Sequence, residues 1–224
     1  PCNYYDTFKK PKIFWPDIAR FPRFSWDEHG QFVNNKGYIL LPPDESLLGI
    51  LQSRVSWFCI TRLCAPLGER VGLVIYQHFT QYMTHLPIPP LTDPQRDYIG
   101  KLAQQITEKA KQRYEVRRRT THRIENDLGA SQKKLNQRLT TWWELSFKEF
   151  RAELVQVFKR DIPLKDRDDW EVLLRERTVE IGNLTDEIVK LETDLNAAVY
   201  EVFGLDESER ALIEQETKYR YGEW

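Results

Sequence analysis

Residues 10–24 read KPKIFWPDIARFPRF, and this stretch decides how the first part of the chain folds. Its Ile, Phe and Trp residues are typical of strands, but Pro16 and Pro22 lack the N–H that a sheet ladder requires. The stretch therefore predicts short edge or bulged strands near 11–15 and 18–26. Its Lys and Arg residues leave two interpretations open, because long basic stems can cover aromatic surface or their cations can contact a polyanion.

Short segments of mixed type continue after this stretch. Turn-forming residues separate further predicted strands near 31–34 and 37–41. Apolar residues at helical spacing predict a helix over 45–62, and the run VGLVIYQHF predicts a strand at 71–79. We therefore expect a mixed α/β unit over residues 1–92.

From Asp93 onward proline nearly disappears and helical periodicity takes over. A first helix is predicted over 94–126, with Gly129 ending it. A second helix is predicted over 131–159, with a break near Ser146, where the residues SFKE fit a capping box.

A third predicted helix carries a coiled-coil-like seam and stops at Gly204, after which a short last helix follows. The seam residues are Ile181, Leu184, Ile188, Leu191, Leu195, Val199 and Val202. The expected fold class is α+β, with the small mixed unit followed by a long helical hairpin or small helical bundle over 93–224. The seam also leaves a second function open, because it could pair with another chain as a protein-interaction or scaffolding module.

Composition narrows the class of protein. Hydrophobic residues make up 41% of the 224 and charged residues 30%, and no apolar run is long enough to span a bilayer. The cysteines Cys2, Cys59 and Cys64 are too sparse for a disulfide framework, so they predict thiols in a reducing, cytoplasmic setting. The scattered histidines predict no metal site. Because the chain begins at Pro1, we expect a piece of a longer protein.

The sequence has no recognisable catalytic constellation. It lacks a Gly-rich phosphate loop, a nucleophile elbow and a strand–glycine–helix unit for a nucleotide cofactor. Asp166, Asp168 and Asp169 fit the cap and first turn of a helix better than the metal site of a nuclease. We therefore do not expect the chain to be an enzyme by itself.

Charge is distributed unevenly along the chain. Residues 1–143 hold 21 Lys and Arg against 13 Asp and Glu, whereas residues 144–224 hold 12 against 21. This asymmetry predicts either that the first part faces a polyanion or that the two parts attract each other. Within 101–138 there are 11 basic residues against 4 acidic ones. The triplet at 117–119 spans about 200° of a helix, so part of it must reach the surface.

Several motifs occur in an order that is typical of one family. They are KPKI at 10–13, IARFPRF at 18–24, LLGILQS at 47–53 and LPIP at 86–89, followed by LNQRLTTWWELSFKEFRAEL and LNAAVYEVFGLDESERALIEQ. Together they resemble the target-recognition domain of adenine-specific DNA methyltransferases. The most similar group is the TaqI-like C-terminal specificity domains of Type IIG restriction–modification enzymes. The resemblance covers nearly the whole chain, although Gln52 stands where the family often has Asn.

This resemblance implies a sequence-specific DNA recognition module at the C-terminal end of a larger adenine-specific DNA methyltransferase or restriction–modification protein. The family's Asn-Pro-Pro-Tyr-like motif and its Gly-rich motif for S-adenosylmethionine do not occur in this sequence. The cofactor is therefore expected in the parent protein, an adenine-N6 methyltransferase with or without endonuclease activity, and not in this fragment. The expected partners are double-stranded DNA and the catalytic domain of the same parent chain, in the cytoplasm of a bacterium or archaeon, with no membrane. The helices could also support oligomers.

The expected contacts to DNA come from basic residues and one amide. A Gln at a strand end can read adenine, and an Arg can read guanine. Arg20 and Arg23 would face opposite ways on a regular strand, so only a bend at Pro22 could bring both to one surface. The predicted DNA-binding residues are Lys12, Arg20, Arg23, Lys36, Arg70, Gln77, Arg117, Arg118 and Arg119.

Overall fold

The computed structural model describes residues 5–70, 72–129, 134–217 and 219–222. The fold is α+β, as predicted: short strands come first and long helices follow. Two compact units are present. The first combines residues 1–108 with 188–224, and the second comprises residues 109–187. These units divide the chain at other residues than the predicted domain boundary at 92. That boundary stays a prediction.

The elements are numbered in chain order. The first unit begins with α1 (Tyr5–Phe8), β1 (Lys12–Pro16), β2 (Ile18–Ala19), β3 (Ser25–Asp27), β4 (Gly37–Leu40), α2 (Glu45–Gln52), α3 (Arg54–Leu63), β5 (Pro66–Arg70), β6 (Leu73–Gln77) and α4 (Thr80–Met83). The helices that follow are α5 (Asp93–Arg123), α6 (Gln137–Thr140), α7 (Phe147–Phe158), α8 (Arg167–Phe203) and α9 (Glu207–Glu216). Both α5 and α8 contribute residues to the two units. Within the described residues, none of these helices is both long enough and apolar enough to cross a bilayer.

The first sheet has the antiparallel order β3-β1-β4. In the central strand β1, Ile13 pairs with Trp26 on one side and Leu40 on the other. Ile13 and Trp15 are buried in a core that α2 and α3 also line. The strand predicted at 31–34 is wrong, because that segment has no regular secondary structure.

The second sheet has the antiparallel order β2-β6-β5. The strand predicted at 18–26 is split into the separate strands β2 and β3, which join different sheets. Pro22 lies buried between them, and its missing N–H prevents one continuous strand. The strand predicted at 71–79 is confirmed in its central part by β6, and Val71 lies outside the described residues.

The helix predicted at 45–62 is two helices. Ser53 both ends α2 and caps α3: its hydroxyl donates to the carbonyl of Ile50 at 2.6 Å and accepts from the N–H of Ser56 at 3.3 Å. Such local side-chain bonds give the backbone an alternative to continued helix. At the start of α2, Asp44 caps the helix through the N–H groups of Ser46 and Leu47.

Arg54, the first residue of α3, holds the C-terminal segment through contacts to residues 217, 219 and 221. One guanidinium nitrogen donates to the carbonyl of Thr217 at 2.5 Å, and another donates to the carbonyl of Tyr219 at 2.9 Å. The guanidinium also lies 4.6 Å from the ring centre of Tyr219 and 4.2 Å from that of Tyr221. The C-terminal segment is thus part of the first unit.

The second unit has its own core around Trp142 and Phe150. The break predicted near Ser146 is confirmed, and the capping box with Glu149 is present at the start of α7. The prediction of one helix over 131–159 is wrong for the part before Ser146, which forms α6 and a short 3-10 turn. Residues 131–133 lie outside the described residues.

The predicted ends of the long helices are confirmed. α5 continues into a π-helical turn, Ile124–Leu128, and the chain leaves it at Gly129. A Cβ at Gly129 would meet the carbonyl oxygen of Glu125, so only glycine fits. α8 ends before Gly204, whose φ of +66° suits glycine. Most of the predicted seam is buried: Ile181, Leu184, Ile188, Leu195 and Val199.

Candidate nucleic-acid interface

The prediction that Lys12 contacts DNA is wrong, because the residue is buried. Its side chain is fully buried, its ammonium is paired with the carboxylate of Asp27, and it donates to the carbonyl of Phe8 at 2.6 Å. A cation enclosed in this way cannot reach a phosphate. Lys12 holds β1 to the end of β3 instead.

The hairpin of β5 and β6 is the most exposed strand pair of the first unit. All five residues of β5 are exposed, including Leu67, so neither face of this strand is covered within the described residues. Arg70 pairs with Leu73, which places it beside the tip of the hairpin. A bulge between Pro66 and Gly68 interrupts the ladder.

Arg20 supports this tip from the neighbouring strand. It follows β2, and its guanidinium donates to the carbonyl of Arg70 at 3.4 Å. The structure therefore brings Arg20 and Arg70 together, while each side chain remains without an ion pair among the described residues.

Gln77 lies at the other end of the same sheet. It pairs with Ile18, and its N–H donates to the carbonyl of Ala65 at 3.0 Å. It lies four positions along β6 from Leu73 at the tip, a distance of roughly 13 Å along the strand. Gln77 is half-buried, so it is less accessible than Arg70.

The bend at Pro22 brings Arg20 and Arg23 into each other's electrostatic range. Arg23 is exposed, with its guanidinium 4.6 Å from the ring centre of Phe21. Partial burial lowers the pKa of Arg23, and the positive charge of Arg20 lowers it further. The charges of the two arginines thus interact, although the residues are an odd number of positions apart.

Arg23 also lines an open cleft of about 470 Å³ on the first unit. The cleft lies between β1 and the segment that precedes β4, and Lys36 also lines it. The ammonium of Lys36 is 3.5 Å from a carboxylate oxygen of Asp17, and its side chain is 71% exposed. The cleft therefore combines two of the predicted residues.

Sequence reasoning missed the aromatic and neutral residues of this cleft. Phe32 is 58% exposed, and it follows Gly30 and Gln31 in a segment interpreted as a strand. A large apolar residue among turn-forming residues was the available signal. Ser25 and Asn34 also line the cleft, and no sequence pattern singles them out.

The three arginines of α5 lie in the second unit and have different surroundings. Arg118 donates two hydrogen bonds to Glu115, at 2.8 and 3.2 Å, and Arg119 lies 3.5 Å from the same carboxylate. Arg117 is half-buried with its guanidinium 4.2 Å from the ring centre of Trp143. Burial, and then the charge of Arg113, lower the pKa of Arg117 to about 10.

Thiols and carboxylates are the remaining side chains that could bind a metal ion. Within the described residues, no group of three or more His, Cys, Asp and Glu side chains could hold a metal ion. Cys59 and Cys64 are free thiols, and burial raises the pKa of Cys64 to about 11. Cys2 lies outside the described residues.

Comparisons with known proteins reach only the helical region. Residues 92–199 match the model of a family described as a domain of unknown function (DUF8810), which is slightly less than half of the chain. No curated protein and no solved structure matches the chain.

Proposed function

We propose that the chain is a sequence-specific DNA recognition module of a larger adenine-specific DNA methyltransferase or restriction–modification protein. The observation that carries the proposal is the β5–β6 hairpin, in which every residue of β5 is exposed. A two-stranded antiparallel ribbon fits the major groove, where base edges present a distinct pattern of donors and acceptors. Arg70 lies beside the tip, where it would read a base edge, and Arg20 donates to its backbone carbonyl.

The charges around the hairpin support the proposal. Arg20 and Arg23 repel each other and have no carboxylate partner among the described residues, so an external anion would stabilise both. Phosphate contacts of this kind set the register, while base contacts give the sequence. Arg118 and Arg119 of the second unit are exposed and are proposed as further phosphate contacts. S-adenosylmethionine and the catalytic residues would belong to the parent protein.

The alternative, a coiled-coil scaffolding module, has less support. Its seam is mostly buried within this chain, so those side chains are already covered. The exposed edge of β5 is also ill suited to pairing with another strand, because it carries Pro66, a bulge and the charges of Glu69 and Arg70.

The test is selection of duplexes from a random pool by this chain, followed by affinity measurements between about 50 and about 200 mM salt. We expect an enriched sequence and an affinity that falls steeply with salt, because phosphate contacts release counterions. In Arg70→Gln, discrimination at one base position should fall by about tenfold or more, since one bidentate contact to guanine is lost.

Lys101→Gln is the matched control, because Lys101 is an exposed cation of the same unit on α5. It should keep the enriched sequence. Absence of binding at low salt, or the same sequence preference in Arg70→Gln, would refute the proposal.

A further inference from the structure

The cleft between β1 and the segment before β4 has the size and lining of a small-molecule site. Its volume of about 470 Å³ is within the usual range of ligand pockets. A duplex cannot enter such a cleft, so its chemistry is separate from that of the hairpin.

One wall of the cleft is aromatic. Phe32 lies 5.2 Å from the ring of Tyr5 and 5.3 Å from the ring of Phe8, centre to centre, and these contacts position it. More than half of Phe32 is still exposed, and Phe14 lies in the same lining. An aromatic side chain held in place but left open to solvent is a stacking surface for a flat ring.

Two cations, Arg23 and Lys36, give the lining of the cleft positive charge. Arg23 has no ion pair among the described residues, and Lys36 is exposed beside Asp17. The cleft also contains Asp27, but the buried ammonium of Lys12 neutralises that carboxylate. The lining therefore attracts an anion.

Neutral groups complete the lining. Ser25 and Gln31 have side chains without a hydrogen-bond partner in the described part of the chain. The side-chain oxygen (Oδ1) of Asn34 accepts from the backbone N–H of Lys36 at 2.9 Å, which leaves the side-chain NH₂ group of Asn34 as a donor. Donors and acceptors beside an aromatic wall can bind the polar edge of a base.

We infer that this cleft binds a single unpaired nucleotide, with its base against Phe32 and its phosphate between Arg23 and Lys36. Arg23 and Lys36 can both donate to phosphate oxygens, although Asp17 balances part of the charge of Lys36, and every base offers a face for stacking. The nucleotide could be free or could be an unpaired residue of a DNA strand, because both present the same chemistry. The inference goes beyond duplex recognition and does not require that the hairpin read bases.

The test uses the intact chain and measures binding by the fluorescence of its tryptophans, one of which, Trp15, lines the cleft. The ligands are deoxyadenosine monophosphate, deoxyadenosine and inorganic phosphate. We expect the nucleotide to bind about tenfold more tightly than either part alone, because only it uses both the aromatic wall and the cations.

Two substitutions separate the two halves of the site. Arg23→Gln should weaken nucleotide binding by about tenfold and leave deoxyadenosine unchanged. Phe32→Leu keeps an apolar side chain but removes the aromatic face, and it should weaken both ligands by about fivefold. The exposed residues Lys101 and Tyr98 supply matched controls, Lys101→Gln and Tyr98→Leu, which should bind as the unaltered chain does.

A second arm identifies the source of the nucleotide. Tighter binding of a duplex with one unpaired base than of a fully paired duplex, lost in Phe32→Leu, would indicate a nucleotide within a strand. A preference for the free nucleotide alone would indicate a soluble ligand, and either result supports the inference.

The inference is overturned if the nucleotide binds no better than phosphate, or if both cleft variants bind it normally. If the chain binds the nucleotide but no duplex, only the proposal of a DNA recognition module is refuted. Duplex recognition through Arg70 without nucleotide binding would refute only the cleft.

Discussion

The two sheets of the first unit have the same size and the same antiparallel pairing, but opposite surroundings. The central strand of the first sheet, β1, has three buried residues, whereas β5 in the second sheet has none. Basic residues follow this difference: Lys12 of β1 is enclosed with Asp27, while Arg70 of β5 is exposed. Lys12 therefore holds the first sheet together, whereas Arg70 in the second sheet is available to a partner.

The largest expected effect concerns the buried ion pair of the first sheet. Asp27→Asn would leave the ammonium of Lys12 buried without a counter-charge, which costs about 3–5 kcal/mol of unfolding free energy. Asp27 also accepts the N–H groups of His29 and Gln31, at 2.9 and 2.8 Å, so its carboxylate organises the turn after β3. Urea unfolding measures the loss.

Two further variants sharpen this prediction. Lys12→Met combined with Asp27→Asn should be more stable than Asp27→Asn alone, because the unpaired charge is gone. Arg70→Gln in the second sheet should change the unfolding free energy by less than about 0.5 kcal/mol. Equal losses in Asp27→Asn and Arg70→Gln would contradict the comparison of the two sheets.

A smaller effect is expected at His78, which directly follows β6 and enters the core. It is fully buried, its ring stacks on that of Phe24 at 6.5 Å between centres, and its backbone N–H donates to the carbonyl of Asp17 at 2.7 Å. Neither ring nitrogen has a hydrogen-bond partner among the described residues. Burial lowers the pKa of His78 to about 4, against a weaker opposing effect of the charge of Asp17.

The sign of the pH dependence follows from this shift. The unfolded chain, with a histidine pKa near 6.5, binds more protons than the folded chain between about pH 6.5 and about pH 4. The contribution of His78 is therefore complete above about pH 6.5, and roughly 3 kcal/mol is lost as the pH falls to about 4. In His78→Phe the slope of unfolding free energy against pH should be much shallower in this window. An unchanged slope would show that other groups cause it.

Local sequence signals predicted the secondary structure well, but they did not predict the surroundings of each side chain. The ends of the long helices and the capping box at Ser146 depend on neighbouring residues, so sequence patterns found them. The break at Ser53 was missed, because the apolar spacing continues from Leu51 to Val55 across it and so also fits a continuous helix. β5 was missed because Gly68 favours a loop when its partner strand is unknown.

The candidate site shows the same limit. Lys12 has its partner 15 residues away at Asp27, and no pattern in the sequence reveals that pairing. Arg70 and Lys36 remain exposed, so for them a charged residue near a turn was a sound signal. Whether they contact DNA stays a prediction.

The charge asymmetry illustrates how folding redistributes a sequence pattern. The acidic residues of 144–224 are shared between the units, because residues 188–224 belong with 1–108. The contrast between a basic and an acidic half of the sequence is therefore not a contrast between two bodies. Positive surface has to be located residue by residue, as at Arg20 and Arg23.

The smallest expected effect compares two glycines, Gly72 in the turn between β5 and β6 and Gly37 in β4 of the first sheet. Gly72 beside the hairpin tip has a φ of +72°, and an added Cβ would meet nothing within 4 Å. Gly72→Ala should therefore cost only the strain of the backbone, about 1 kcal/mol. At Gly37 of β4 the φ is ordinary, but a Cβ would approach a methyl group of Val33 and lie 3.2 Å from the carbonyl oxygen of Trp15. Gly37→Ala should cost about 1–3 kcal/mol through overpacking, so urea unfolding should rank it below Gly72→Ala in stability. If Gly72→Ala were the less stable variant, the second sheet would be as tightly enclosed as the first. The hairpin would then not be a surface open to a partner.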